Sequence, residues 1–131
     1  MGETKTTNNK NSRLNEIAKQ IEIKKEIAKI SKLFKEMDPK IKKSIQSVID
    51  NAAFMAVTLR ELQEHLIKNG WTIEYQNGEN QFGIKKSPEI EIYNTMIKNF
   101  VSTMKAVTDL LPKEIANKIK DDGFDEFVNN R

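Results

Sequence analysis

Chain breakers are confined almost entirely to one stretch of this sequence. NGWTIEYQNGENQFGIKKSP, residues 69–88, holds three of the five glycines, the single tryptophan and one of the three prolines. Residues 12–69 contain only Pro39 as a breaker, and residues 89–111 contain none. Long segments without glycine or proline, with apolar residues recurring at helical spacing, dictate helices. The expected fold is therefore all-α: a long helical hairpin plus a third helix, joined by a glycine-containing loop or small β-hairpin.

The first helical pattern runs from Ser12, a plausible N-cap, to Met37. It stops at Asp38-Pro39, where Asp38 can cap the next helix and Pro39 can occupy its first turn. Its apolar residues form two sets: Leu14, Ile17, Ile21 and Ala28 on one face, Ile23, Ile27, Ile30, Phe34 and Met37 on nearly the opposite one. No glycine or proline marks a turn between residues 21 and 24. A continuous helix touching two neighbours is thus expected rather than a helix-turn-helix.

The second helix should run from Pro39 to Asn69, with Asn69-Gly70 as a left-handed cap. Its main face carries Ile41, Ile45, Val48, Ile49, Ala52, Met55, Ala56, Leu59, Leu62 and Leu66. Phe54 and Val57 are expected off that face, and they are the candidates for a contact with a second copy. The centre, AAFMAV, is apolar all round, which asks for burial on every side. A third helix starts at Ser87-Pro88 and carries Ile90, Tyr93, Ile97, Phe100, Val101, Met104 and Leu111 as far as Leu111-Pro112. The division expected is a disordered polar arm over 1–11, a helical core over 12–111, and a short helix through Ile115 and Ile119 with an acidic tail over 112–131.

Charge separates along the chain. Residues 1–43 hold twelve Lys/Arg against six Asp/Glu, residues 44–131 ten against thirteen, within an overall +3. A basic first third suggests a polyanion contact there, and the acidic remainder a protein contact. Only Arg13, Arg60 and Arg131 are arginines, a bias that favours phosphate contacts over bidentate base reading. The candidate polyanion contacts, which the resemblance described below would make DNA contacts, are Lys10, Arg13, Lys19, Lys24 and Lys25; a solvated helix face is the alternative. In the tail DDGFDEFVNNR, Phe124 and Phe127 stand three apart, so one helical turn would present both on one side; by residues alone this reads as an acidic tail that aids solubility.

Catalytic chemistry is nearly missing. Without cysteine there are no disulfides or thiolates, and His65, the one histidine, sits among Glu61, Glu64 and Lys68 on a helix. No catalytic residue, metal site or cofactor is expected. A P-loop needs GxxxxGK and then Ser or Thr, after a buried strand and opening a helix. Gly78 and Gly83 have the separation, but Ile84 stands where the lysine belongs, and Lys86-Ser87 comes two residues late. The alternation Trp71, Ile73, Tyr75 before Asn77-Gly78 reads instead as a hairpin or extended loop returning through Phe82 and Ile84. A lone hairpin is marginal in water, so these aromatics are expected to pack on the helices. No run approaches the ~18 apolar residues of a membrane span, and MGETKTTNNK lacks a signal-peptide core. A cytosolic protein without membrane contact is expected.

The run from Gly70 through Pro112, with Gly78, Gly83, Ser87-Pro88, Tyr93-Asn94 and Leu111-Pro112 in order, resembles the small terminase subunit of tailed bacteriophages of low-GC Gram-positive hosts. The acidic, aromatic-bearing tail is similar too, and the resemblance spans residues 45–131. It implies a ring homo-oligomer in the host cytoplasm that has no enzymatic activity. Such a ring binds double-stranded viral DNA at the packaging initiation site, and it recruits the large terminase subunit, which carries the ATPase and nuclease. The unbroken first helix departs from the helix-turn-helix that many small terminases carry. A transcriptional regulator of a phage or mobile element, binding a palindrome as a dimer, and a helical adaptor with no nucleic-acid role are the other two classes.

Overall fold

The structure, a computed structural model, describes residues 2–113, with side chains from Thr7 onward. It is mostly helical: α1 (Gly2–Ser31), a 3-10 turn (Lys32–Phe34), α2 (Pro39–Asn69), β1 (Thr72–Gln76), β2 (Phe82–Lys86) and α3 (Pro88–Asp109). Two compact units divide the chain, Met1–Val57 and Thr58–Arg131, and their boundary falls within α2. No helix among the described residues is long and apolar enough to cross a membrane.

In the first unit, α1 is continuous, as the lack of a breaker around residues 21–24 requires. It starts at Gly2, ten residues before the expected N-cap at Ser12, so the part of the arm within residues 2–11 is helical rather than disordered. After Gly2 no glycine or proline interrupts the turn. Thr and Asn each cost only a few tenths of a kcal/mol relative to Ala, against ~1 for Gly and ~3 for Pro. At its other end the helix tightens into the 3-10 turn, with Met37 N–H donating to the Phe34 carbonyl at 3.0 Å. Asp38 then caps α2 through its Oδ1, which accepts from Lys40 N–H at 2.9 Å. Lys42 Nζ donates back to the Lys35 carbonyl at 2.6 Å. The Lys19 ammonium lies 5.0 Å from the Phe54 ring centroid, so the two helices run antiparallel here, these residues standing at matched distances from the turn.

Burial in this unit falls on Ile30, Phe34, Ile45, Ile49, Ala52, Ala53, Ala56 and Val57. Of the two α1 faces, the one ending in Ile30 and Phe34 is covered. Leu14, Ile17 and Ile21 on the other stay open, at 62, 46 and 48% exposure. The second neighbour expected for α1 is not supplied by the described residues. Val57 corrects another expectation: it is 4% exposed, because Ile49, Ala53 and Val57 form one i, i+4 row and point inward together. It is therefore not a surface residue for a contact with a second copy. Phe54 stays at the surface, at 46% exposure. Ile41, placed on the main face by its spacing, is exposed as well.

In the second unit α2 ends where Gly70, at φ +76°, donates its N–H to the Leu66 carbonyl at 2.8 Å. That is the left-handed cap, a conformation that a side chain would strain. The hairpin is antiparallel, with Ile73 opposite Lys85 and Tyr75 opposite Gly83. Gly78 takes φ +100° in the turn. Gly83 lies under the Tyr75 ring, where an added Cβ would come within 2.6 Å of the ring carbons. The P-loop pattern thus resolves into a turn glycine and a strand glycine.

Contrary to expectation, the hairpin does not bury its aromatics on the helices. Trp71, Phe82 and Ile84 are 66, 73 and 71% exposed. Alternation predicts which residues share a face, but both faces of this ribbon are open, so neither set is sheltered. Ser87 opens α3: its hydroxyl accepts from Ile90 N–H at 3.3 Å, Pro88 follows at the first position, and Glu89 and Glu91 sit in the first turn. The residue is 2% exposed. Ser87→Ala should lower stability by ~1 kcal/mol, measurable as a lower urea midpoint with an unchanged slope. Buried residues of this unit include Leu59, Phe100, Met104, Val107 and Leu111. The short helix expected through Ile115 and Ile119, and the tail with Phe124 and Phe127, lie outside the described residues.

Candidate nucleic-acid interface

At 100° per residue, the positions of α1 sort its charges sharply. Lys10, Arg13 and Lys24 fall on the open face, among Leu14, Ile17 and Ile21, with Lys25 flanking them. All four cations are exposed. Glu16, Glu22 and Glu26 fall on the remainder of the helix, so between residues 10 and 28 this face carries positive charge without a carboxylate. Glu22 reaches only its edge, through an ion pair with Lys25 at 3.1 Å. Such a surface pair contributes ~0–1 kcal/mol, and a phosphate can replace the carboxylate.

Lys19, the fifth candidate, does not join the other four. It is half-buried on the opposite side of α1, its ammonium over Phe54. Four of the five sequence-derived cations therefore form one surface, and the fifth ties α1 to α2.

Beyond that face, the second unit holds polar links that are structural. Gln63 Nε2 donates to Tyr93 Oη at 3.1 Å, and His65 Nε2 lies 3.8 Å from Glu89 Oε1. Each joins the last turns of α2 to the first turns of α3, which occupies His65 in a helix-to-helix contact. On the hairpin, Lys85 stands 5.5 Å from the Tyr75 centroid, and a shallow hollow of about 340 Å³ at the tip is lined by Tyr75, Asn77, Asn80, Gln81 and Phe82. Sequence reasoning missed the hairpin as an exposed element, because a period-two pattern looks the same whether or not a core covers it.

No protein-family model, curated protein or solved structure matches this chain.

Proposed function

We propose that this chain is a DNA-packaging factor of the small terminase type. In this reading copies of it assemble into a ring, hold double-stranded viral DNA at the packaging initiation site in the host cytoplasm, and pass it to the large terminase subunit. The chain itself contributes binding and carries no catalytic step or cofactor. The observation that supports this most is the acid-free cationic face of α1, where Lys10, Arg13, Lys24 and Lys25 can each neutralise a phosphate. Element order and the Ser87-Pro88 start of α3 agree with the resemblance. Phe124 and Phe127 are the anchors for the large subunit, with the carboxylates around them raising the encounter rate.

One constraint follows for the assembly. The apolar stripe of α1 shares its face with the cations, so a copy packed on Leu14, Ile17 and Ile21 would compete with DNA for it. Phe54 is open but lies under Lys19. Light scattering on the purified chain should give a mass of several subunits, and that species should bind duplex DNA with a steep salt dependence. Removing residues 123–131 should leave both properties intact while abolishing capture of the large subunit. A dimer that binds one short palindrome would replace this reading with a transcriptional regulator.

A further inference from the structure

The backbone of the hairpin shows where another strand can attach. Ser87 N–H donates to the Trp71 carbonyl at 2.8 Å, and Asn77 N–H to the Gln81 carbonyl at 2.7 Å. With Ile73 opposite Lys85 and Tyr75 opposite Gly83, the odd-numbered residues are the hydrogen-bonded pairs. The even-numbered ones direct N–H and C=O outward: Thr72, Glu74 and Gln76 along one edge, Phe82, Ile84 and Lys86 along the other. Among the described residues the sheet has only these two strands, so both edges are open. Nine of the ten strand residues are exposed, and no proline blunts either edge.

We propose that this hairpin is the contact between copies of the chain, with β1 of one copy pairing antiparallel to β2 of the next. A two-stranded ribbon is marginal in water, and a third strand relieves it. Charge selects the pairing. Glu74 is the only charged residue of β1, whereas β2 carries Lys85 and Lys86. Pairing β1 with β1, or β2 with β2, sets like charges side by side, but pairing β1 with β2 sets opposite ones together. Repeated from copy to copy, that contact is head-to-tail, the kind that closes into a ring. The inference rests on the self-association in the proposed function and names its surface.

The test compares full-length variants by light scattering. Ile84→Pro deletes an outward N–H while sparing the internal ladder, and Ile84→Thr keeps that N–H with a β-branched side chain. The expected result is wild-type mass for Ile84→Thr and single-chain mass for Ile84→Pro, with helical circular dichroism retained. Independently, Glu74→Lys should raise the concentration needed for assembly at least tenfold, and adding Lys85→Glu and Lys86→Glu should restore it. If Ile84→Pro loses its helical signal, this charge exchange decides. Wild-type assembly by Ile84→Pro, or by Glu74→Lys, would overturn the hairpin contact while leaving the ring reading in place. A wild-type protein that stays monomeric would overturn both.

Discussion

Replacing Lys10, Arg13, Lys24 and Lys25 together with glutamine should weaken binding to duplex DNA by roughly a hundredfold or more near physiological salt. Each phosphate that is no longer neutralised also lowers the log–log salt slope by ~0.9. The reason is geometric. These four side chains share one face of α1 without an intervening carboxylate, so a single duplex can take up all of their charge. Lys19→Gln provides the contrast: it removes one charge from the same helix, but on the half-buried side, where the ammonium stands 5.0 Å from the Phe54 ring centroid. Its expected effect is ~0.5–1 kcal/mol of stability with little change in the salt slope. Fluorescence anisotropy across a salt series separates the two outcomes. If Lys19→Gln alone lost about a quarter of the logarithmic affinity and salt slope lost by the fourfold variant, summed charge and not this face would govern binding. An unchanged slope in the fourfold variant would move the DNA site to Lys85 and Lys86.

Phe34→Ala should be the most damaging single truncation in the first unit. Phe34 is 1% exposed and among the largest fully buried side chains, and it sits in the turn where α1 hands over to α2. Removing a buried phenylalanine costs ~3–5 kcal/mol through forfeited transfer energy and the cavity left behind, against a total of ~5–15 kcal/mol for a typical domain. A drop in melting temperature of roughly 10–20 °C follows for a chain of this length. Ile67→Ala is the matched control: Ile67 is 86% exposed, and its truncation should stay within ~0.5 kcal/mol. Thermal unfolding followed by circular dichroism checks the pair, and similar melting for the two variants would contradict the burial assigned to Phe34.

What the sequence by itself determined were the joints of the chain. Asp38-Pro39, Asn69-Gly70 and Ser87-Pro88 start or end helices where expected, because a cap is a hydrogen bond between residues two to four apart and needs no distant partner. The return of the chain through Phe82 and Ile84 was legible from alternation and the Asn77-Gly78 turn signal, which are also local, whereas the register, with Gln76 opposite Phe82, was not. Only the tertiary structure decided which apolar surfaces are covered. Leu14, Ile17 and Ile21 repeat as regularly as Ile23, Ile27 and Ile30, yet one row is open and the other largely covered. Phe54 and Val57 looked alike from spacing, but Val57 turns inward with Ala53 while Phe54 stays half in solvent. Trp71, Phe82 and Ile84 carry a core-like pattern and meet no core. Periodicity specifies the side of an element on which a residue lies. Burial depends on whether another element arrives there, and that is settled by contacts between residues far apart in the chain.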